Sequence, residues 1–281
     1  MMRDKRQRFE DGQFYFACPI CRNPLFKSDN TLKCLKNHNF DLSKFGYVNL
    51  LGGRKVDDHY SKKSFENRQL VLESGYYKHI LEALAEFLQG YPHIGSVIDI
   101  GCGEGYYSRE LSKSFSKDFL AFDISKDSIQ LAAKSDYSRL VKWFVSDLAR
   151  LPIQDQSVDC ILDIFSPANY EEFKRVLKKD GYLLKLIPTE NHLREIREKV
   201  GSQLEKKAYS NTKVVSHFQD HFEIIGQREV RATYPCSAAE RAAFIEMTPL
   251  LFNVDSSLFD WTDITHITVS ALLLIGRQKE S

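Results

Sequence analysis

The sequence lacks any apolar run that could cross a bilayer. The longest late run, residues 271–275, falls far short of the roughly 18 apolar residues that a spanning helix needs. The opening stretch, MMRDKR, is charged and contains no apolar segment typical of a secretory signal. We therefore expect a soluble, cytoplasmic protein without a membrane partner.

Compositional bias is also absent. Apolar residues make up 43% of the 281 positions and charged residues 27%, which excludes a disordered, collagen-like or low-complexity chain. At about 150 residues per domain, this length predicts about two domains.

A strong overall charge is missing, because 39 Lys and Arg oppose 38 Asp and Glu. The distribution is nevertheless uneven: residues 1–80 carry 15 basic and 9 acidic residues, and the remainder carries 24 and 29. A basic first third favours contact with a polyanion, although an ordinary solvated surface would give the same pattern. The residues that we consider for this contact are Arg22, Lys33, Lys36, Arg54, Lys55, Lys62 and Lys63.

Cysteine is scarce outside one short segment. Three cysteines, at 102, 160 and 236, are scattered and fit ordinary buried thiols. The others form, with one histidine, a C-x2-C pair and a C-x3-H pair: Cys18, Cys21, Cys34 and His38. Four protein ligands fill the coordination shell of zinc and leave no position open for water, which indicates one structural Zn2+ per chain. Its binding would supply folding free energy to a module that has little hydrophobic core. Coincidental buried cysteines and a redox C-x-x-C are the alternatives.

Strands and helices alternate from residue 96 onward. The predicted strands are 96–100, 119–123, 142–145, 158–165 and 182–187, with late candidates at 222–230 and 266–275. The predicted helices are 105–115, 126–134, 170–178 and 190–204. This alternation predicts an α/β fold in which helices cover both faces of a parallel sheet.

The first part of the chain has a different pattern. Residues 1–14 predict a loose charged arm, residues 15–55 a small ribbon-like module, and residues 52–63 a polar linker. Apolar residues recur at helical spacing between 64 and 88, which predicts a helix there.

A glycine-rich turn follows the first strand of the predicted sheet. Gly101, Gly103 and Gly105 permit a sharp turn and the close approach of a ligand. The third glycine comes one residue too early for the dinucleotide fingerprint G-x-G-x-x-G. Asp99 and Glu104 bracket the turn, where they disfavour a pyrophosphate and suit a cation. S-adenosylmethionine fits this turn, because it carries a sulfonium and an ammonium group and no phosphate.

Polar residues end the following strands as well. Asp123 lies at the tip of the second strand, where an acid can accept both ribose hydroxyls. At the end of the third strand, Asp147 could accept from the adenine amino group, with Leu148 against the ring. The fourth strand ends in FSP at 165–167, on the edge where open α/β sheets place their chemistry. These strand ends together predict a cofactor site.

These motifs combine into a family resemblance. The C-x2-C and C-x3-H pairs are followed by the segments HNFD at 38–41 and GYVNLL at 46–51, and the segment DIGCGEGYY occupies 99–107. From residue 18 onward the chain resembles the RlmA family of 23S rRNA (guanine-N1)-methyltransferases, which includes tylosin-resistance enzymes. The resemblance implies a Rossmann-like, S-adenosylmethionine-dependent methyltransferase domain with a small N-terminal zinc-binding domain that helps to recognise rRNA. We accordingly divide the chain into an arm and zinc domain, 1–58, and a linker helix and methyltransferase domain, 59–281.

The resemblance also implies site residues and partners. The family's cofactor contacts correspond to Tyr77, Tyr107, Ser108 and His192, and its zinc ligands to the four metal-binding candidates. It implies a homodimer with a shared RNA-binding cleft, 23S rRNA as the partner, and a hairpin-loop guanosine at position 745 or 748 as the target.

The catalytic base is not identified by any motif. Guanine N1 carries a proton that must leave, and Asp163 near the end of the fourth strand is one candidate to accept it. Ordered water with a carbonyl is another. Phe165 could stack on a base flipped out of its loop, or belong to the core.

Two other functions fit parts of the pattern. A small-molecule methyltransferase would use zinc only to fasten its N-terminus, although the basic first third argues against it. A non-catalytic, zinc-dependent RNA-binding protein would have no need of an intact cofactor pocket.

Overall fold

The computed structural model describes residues 4–52, 62–201, 210–251 and 253–279, and it contains an eight-stranded and a three-stranded sheet. The strands are β1 (Phe26–Ser28), β2 (Thr31–Lys33), β3 (Asn39–Asp41), β4 (Tyr47–Asn49), β5 (Ser96–Ile100), β6 (Asp118–Asp123), β7 (Val141–Val145), β8 (Val158–Ile164), β9 (Leu177–Pro188), β10 (Phe222–Pro235) and β11 (His266–Gln278). The helices are α1 (Lys62–Glu73), α2 (Lys78–Gly90), α3 (Tyr106–Ser114), α4 (Lys126–Ser135), α5 (Tyr170–Val176), α6 (Arg194–Val200), α7 (Thr212–His221) and α8 (Ala238–Met247).

The large sheet has the strand order β10-β11-β9-β8-β5-β6-β7-β4. All neighbours between β4 and β9 run parallel, and β11 is the one reversed strand, antiparallel to both β9 and β10. The predicted α/β fold with a parallel sheet is thus confirmed, apart from this one reversed strand. Chain order changes direction at β5, which is the switch point where open α/β sheets bind ligands.

The central strands are buried on both faces, since β5 and β7 are buried at every position. One face packs against α1 to α4, α6 and α8. The other face packs against α5, α7 and the N-terminal module. Strands that are covered on both faces consist of nearly continuous apolar residues, which explains why these strands could be predicted from the sequence.

The N-terminal module takes a place that a crossover helix usually fills. Between β7 and β8 the chain forms only a short 3-10 turn, Leu148–Arg150, so no helix covers the sheet there. Phe16 packs edge-on against Phe144, with ring centroids 5.2 Å apart. The N–H of Ala17 donates to the carbonyl of Pro152 at 2.9 Å.

The last strand of the module belongs to the large sheet. β4 pairs in parallel with β7, and its three residues lie opposite residues 143–145. The N-terminal module is therefore continuous with the edge of the large sheet. The domain boundary that we place at residue 58 lies outside the described residues and stays a prediction.

The prediction of a loose arm is wrong for residues 5–14, which form two 3-10 turns against the body of the protein. Phe9 is completely buried. The guanidinium of Arg8 donates to the carbonyl of Val141 at 2.7 Å and lies 3.0 Å from the carboxylate of Asp136. The apolar ring and the buried ion pair hold the arm in place.

The prediction of a single helix between residues 64 and 88 is also wrong. The chain forms α1 and α2, and between them Gly75 adopts φ +90°, a left-handed conformation that ends the first helix. Helices α7 and α8 were not predicted, and α6 is shorter than the predicted 190–204, whose end lies outside the described residues. In the part of the chain that the structure describes, no helix combines the length and apolarity needed to cross a membrane.

Candidate active site and metal centre

The four predicted metal ligands converge in the N-terminal module. Cys18, Cys21, Cys34 and His38 each present one ligand atom, and these atoms all lie within 4.8 Å of one another. Cys18 and Cys34 are buried, and the other two ligands are half-buried. The sequence spacing therefore predicted the cluster correctly.

The distances within the cluster match a tetrahedral zinc ion. The sulfur atoms of Cys21 and Cys34 are 3.6 Å apart, and His38 Nδ1 lies 3.4 Å from Cys18 Sγ and 3.5 Å from Cys34 Sγ. Zinc bonds of about 2.3 Å to sulfur and 2.0 Å to nitrogen would give separations of about 3.8 Å and 3.5 Å. A hydrogen bond from the backbone of Asn23 lowers the pKa of Cys21 to about 6, which favours the thiolate.

The glycine-rich turn joins β5 to α3 at the carboxyl edge of the sheet. Gly101, Gly103 and Gly105 all have φ between 57° and 76°, in the left-handed region. A Cβ at Gly101 would lie 3.0 Å from the Cβ of Ser166, and one at Gly105 would collide with the ring of Trp143. Glycine is needed here for backbone conformation and for close packing.

Asp123 is held beside this turn by two backbone groups. The N–H of Gly103 donates to its Oδ2 and the N–H of Ser125 to its Oδ1, both at 2.9 Å. Burial nevertheless raises its pKa. A cavity of about 380 Å³, which we call the cofactor cavity, lies alongside. Five predicted cofactor contacts line it: Gly101, Gly103, Asp123, Asp147 and Leu148.

Other predicted cofactor contacts lie behind the cavity wall. Asp99 is almost completely buried and accepts a 2.8 Å hydrogen bond from Ser108 Oγ. Burial raises the pKa of Asp99 to about 7. The buried hydroxyl of Tyr107 has no hydrogen-bond partner among the described residues. Gly105 faces Trp143 rather than the cavity.

A second cavity of about 720 Å³, which we call the substrate cavity, adjoins the first. The two share Arg68, Met247 and residues 165–167. Tyr77 and His192 line the substrate cavity, with the ring of Phe165 5.4 Å from His192 and 6.1 Å from Tyr77 between centroids. Phe165 has φ +55°, an unusual conformation for an aromatic residue and one that clusters at functional sites.

His192 is neutral at physiological pH, because burial lowers its pKa to about 4. The N–H of Ser270 donates to its Nδ1 at 3.3 Å. Since Nδ1 accepts, the neutral ring carries its proton on Nε2 and acts there as a donor. His192 can therefore orient a ligand but is a poor base at that nitrogen.

Asp163 does not reach either cavity directly. It is completely buried, with Oδ2 2.5 Å from Lys185 Nζ and Oδ1 2.7 Å from the hydroxyl of Ser166. Burial raises its pKa, although Lys185 beside it acts in the opposite direction. Lys185 itself lines the substrate cavity. The carboxylate therefore holds a lysine at the cavity wall.

The lining of the substrate cavity is basic. It contains Arg68, Lys185, Arg197 and Lys213 besides two histidines, and none of its described lining residues is acidic. Tyr77, Phe165 and Tyr170 add aromatic rings, and aliphatic residues and prolines supply most of the remaining wall. Such a surface fits an anionic ligand with flat rings, as in a nucleotide.

Sequence reasoning missed two of these residues. Lys185 interrupts the apolar strand YLLKLI, and a lysine there requires a buried partner, so this signal could have revealed its pair with Asp163. No local signal distinguishes Arg68 from the other charged residues of α1.

The structure places one of the basic RNA-binding candidates against the protein itself. The guanidinium of Arg22 donates to the carbonyls of residues 151 and 153. The candidates Arg54 and Lys55, and the side chain of Lys62, lie outside the described residues.

Family models match both parts of the chain. Residues 16–55 match the N-terminal zinc ribbon of RlmA, and residues 97–181 match a methyltransferase domain. The second match, together with the α/β sheet and its glycine-rich turn, identifies the larger part as an S-adenosylmethionine-dependent methyltransferase. The first agrees with the zinc cluster.

Related proteins extend these matches over most of the chain. A Bacillus subtilis protein provisionally named a 23S rRNA (guanine-N1)-methyltransferase is 35% identical over 93% of this chain and 96% of its own length. The 23S rRNA (guanine(748)-N1)-methyltransferase of Streptomyces fradiae is 30% identical over 86% of this chain and 87% of its own. A solved structure of a Methanococcus maripaludis protein, described as a candidate S-adenosyl-L-methionine-dependent methyltransferase, shares the fold with a TM-score of 0.52. It is 18% identical and covers 81% of this chain and 98% of its own.

Proposed function

This chain belongs to the family of 23S rRNA (guanine-N1)-methyltransferases, and we propose that it methylates N1 of a guanosine in a hairpin loop of 23S rRNA. The observation that carries the proposal is the junction of two cavities at residues 165–167. One cavity has the acidic strand ends of a nucleoside cofactor site, and the other has four basic and three aromatic side chains in a largely apolar wall. The Streptomyces fradiae relative acts at guanine 748, so position 748 or the nearby 745 is the target that we propose.

The substrate guanine must be turned out of its loop to enter the junction. We infer that Phe165 and Tyr77 contact its ring, and that the Nε2–H of His192 donates to the base or the cofactor. S-adenosylmethionine, when bound, supplies a methyl group on a positively charged sulfur. The protein's part is to hold the base in line with that methyl group.

Lys185 stabilises the charge that develops on the base. Guanine N1 must lose its proton before or during its attack on the methyl carbon, whose bond to sulfur would break in the same step. As the proton leaves, negative charge spreads from N1 toward O6. The Lys185 ammonium group, fixed by Asp163 at 2.5 Å, can attract this charge without reorganising. Because no described residue in the lining of the substrate cavity is a carboxylate, we propose that the proton leaves to water.

The decisive experiment incubates the protein with labelled S-adenosylmethionine and a hairpin RNA of the 745–748 region. We expect label in the RNA and a stop of reverse transcription at the modified guanosine, because a methyl group on N1 blocks base pairing. RNAs in which adenosine replaces each guanosine identify the target. In a parallel reaction with a metabolite pool in place of the RNA, label that appears only in small metabolites would favour the small-molecule alternative. Binding of RNA without transfer in either reaction would favour a non-catalytic RNA-binding protein.

We also propose that the zinc module contributes RNA affinity. Lys33 and Lys36 are exposed beside the zinc ligands. Neutralising both should weaken RNA binding and flatten its salt dependence by roughly one to two units in the log–log slope, because fewer counterions are released. The same test applies to Arg54 and Lys55. Lys113 and Lys126, exposed on α3 and α4, provide a matched control pair.

A homodimer with a shared RNA-binding cleft, acting in the cytoplasm, completes the proposal. Two apolar side chains of the zinc module are exposed, Ile20 at 59% and Leu35 at 77%, which is compatible with a covered surface in an assembly. Light scattering with and without RNA measures the oligomeric state. Loss of tylosin tolerance in a strain without the gene would link the modification to antibiotic resistance.

A further inference from the structure

The loop between β7 and β8, residues 146–157, reaches from the cofactor cavity to the N-terminal module. Near its start, Asp147 and Leu148 line the cofactor cavity. The turn Leu148–Arg150 then leads into residues 151–155, which lie against the module. Because this turn is short, the position of residues 151–155 restricts where the two cavity residues can lie.

Backbone groups of the module hold part of this loop. The N–H of Ala17 donates to the carbonyl of Pro152 at 2.9 Å. The N–H of Gln154 donates to the carbonyl of Tyr15 at 2.8 Å, and its side-chain amide donates to the carbonyl of Gln13 at 2.9 Å. The module therefore supports the loop in the place where a crossover helix would otherwise lie.

One side chain of the module, Arg22, also binds the loop. Its guanidinium donates to the carbonyl of Leu151 at 2.8 Å and to that of Ile153 at 2.9 Å. Arg22 directly follows the metal ligand Cys21 and adopts φ +63°, a left-handed conformation. Its N–H donates to the carbonyl of Cys18, another metal ligand, at 2.9 Å. The direction of the Arg22 side chain therefore depends on the turn that carries two of the four metal ligands.

A second arginine, Arg175 of α5, binds the same two carbonyls. Its guanidinium donates to them at 3.0 and 2.7 Å, and it also pairs with Glu172 at 2.6 Å and with Asp155 at 2.7 Å. Asp155 lies 3.6 Å from the Arg22 guanidinium as well, so acids accompany both positive groups. A carbonyl oxygen has two lone pairs, which lets each one accept from both arginines. The loop is thus attached to α5 and to the module through the same two atoms.

We propose that Arg22 is a positioning residue for the purine end of the cofactor cavity. By holding the carbonyls of residues 151 and 153, it fixes the loop and keeps Asp147 and Leu148 at the cavity wall. Since Arg22 projects from the turn that carries Cys18 and Cys21, cofactor affinity then depends on an intact metal cluster. The N-terminal module acts on cofactor binding in addition to any contact with RNA. This inference rests on the proposed cofactor site and not on the identity of the RNA.

The test compares S-adenosylhomocysteine with S-inosylhomocysteine, in which an oxygen replaces the purine amino group, in calorimetric binding experiments without RNA. The wild type should prefer the adenosyl ligand, because only its amino group can donate to Asp147. Arg22→Ala should weaken adenosyl binding by about 3- to 10-fold, the factor expected for a lost hydrogen bond, and should weaken inosyl binding less. Arg22→Lys should give an intermediate result, because an ammonium group lacks the planar fork that reaches both carbonyls.

A double-mutant cycle tests whether Arg22 acts through the cavity residue. Asp147→Asn alone should weaken adenosyl binding, because an amide is a poorer acceptor than a carboxylate. Adding Arg22→Ala to it should cause little further loss, since residues that act through one contact are not additive. Metal analysis should find one zinc in Arg22→Ala, which separates the role of the side chain from loss of the metal.

Lys27→Ala is the matched control, because Lys27 is a basic residue of the same module and pairs with Glu10. It should leave both affinities unchanged. Equal losses for the two ligands in Arg22→Ala, an unchanged adenosyl affinity, or additive losses in the cycle would overturn the proposal. A wild type that binds both ligands equally would also contradict it. If Arg22→Ala loses its zinc or does not fold, Arg22→Lys and Arg22→Gln carry the same comparison. A wild type that behaves as expected here but does not methylate rRNA would contradict the proposed function and leave this inference intact.

Discussion

At the residue scale, acidic groups crowd the glycine-rich turn. Asp99, Glu104 and Asp123 all lie at or near it, and burial raises the pKa of each. Such an arrangement disfavours an anionic ligand and favours a cationic one, which is the property expected of a site for a sulfonium cofactor. The three carboxylates nevertheless have different roles, which substitutions can separate.

Asp123 should hold the ribose of the cofactor. Asp123→Ala should weaken cofactor binding by about 1–3 kcal/mol, because hydroxyl donors of the ligand and the N–H of Gly103 lose their acceptor. Calorimetry measures this loss. Asp127→Ala, an exposed acid in the first turn of α4, should have no effect. An unchanged affinity in Asp123→Ala would assign the ribose to another residue.

Asp99 should make stability fall as the pH rises. Burial raises its pKa in the folded state to about 7, above the ordinary aspartate pKa of about 3.8, so between these pH values the folded state holds a proton that the unfolded state has lost. Asp99 therefore contributes stability at low pH that declines as the pH rises toward 7, with a slope of up to about 1.4 kcal/mol per pH unit. Asp99→Asn should remove this component. Urea unfolding at pH 5, 6 and 7 tests it, and parallel pH profiles for both proteins would contradict it.

Lys185 should affect the methyl transfer and not cofactor binding. Lys185→Met should lower kcat by about 100-fold or more, as when one preorganised donor to a developing anion is removed. Asp163→Asn should have a smaller effect, because the lysine remains but is held less firmly. Single-turnover methylation and cofactor titration measure the two properties separately. A normal kcat in Lys185→Met would exclude its role at the base.

At the element scale, the structure explains what could be read from the sequence. The strands from β5 to β8 were predicted because each is a short apolar run whose end is followed or closed by a polar or otherwise distinctive residue. Of β9, only the apolar part from 182 to 187 was predicted, because its first residues are mostly charged. The break between α1 and α2 was missed because apolar spacing continues across Gly75. The N-terminal arm was missed because its burial depends on Asp136 and on β7, which are far away in sequence. Lys185 and Arg68 reach the cavities only through tertiary contacts.

The docked arm should contribute strongly to stability. The side chains of Arg8 and Asp136 are 1% and 0% exposed, and Trp143 Nε1 also donates to Asp136. Arg8→Ala should lower the free energy of unfolding by about 3–5 kcal/mol, since it leaves a buried carboxylate without its counter-charge. Denaturant unfolding measures the loss. Arg6→Ala is the control, because Arg6 pairs with Asp4 at the surface, and equal stabilities of the two variants would refute a docked arm.

At the scale of the whole molecule, the zinc module and the sheet share a core. The sequence alone suggests that Cys21→Ser would release metal and unfold only residues 15–50. The contact of Phe16 with Phe144, and the pairing of β4 with β7, extend the effect to the methyltransferase sheet. We therefore expect Cys21→Ser, or chelation of the wild type, to lower the melting temperature of the entire chain.

Metal analysis and thermal unfolding followed by far-ultraviolet circular dichroism test this expectation together. Cys236→Ser, at a cysteine outside the cluster, is the control and should keep one zinc per chain. Full metal content in Cys21→Ser would show that the cluster is not the zinc site. An unchanged main transition after zinc loss would show that the module is energetically independent of the sheet.

The docking of the arm also has a consequence for synthesis on the ribosome. The hydrogen bond from Arg8 to the carbonyl of Val141 cannot form until Val141, 133 residues later in the chain, has been synthesised. At roughly 5–20 residues per second, that delay is about 7–27 s. During this interval the four zinc ligands have already been synthesised, whereas the sheet against which Phe9 and Phe16 pack has not yet formed. The N-terminal module can therefore bind its metal before the methyltransferase domain folds. Until β7 is synthesised, the metal-bound module of the nascent chain exposes these two aromatic rings.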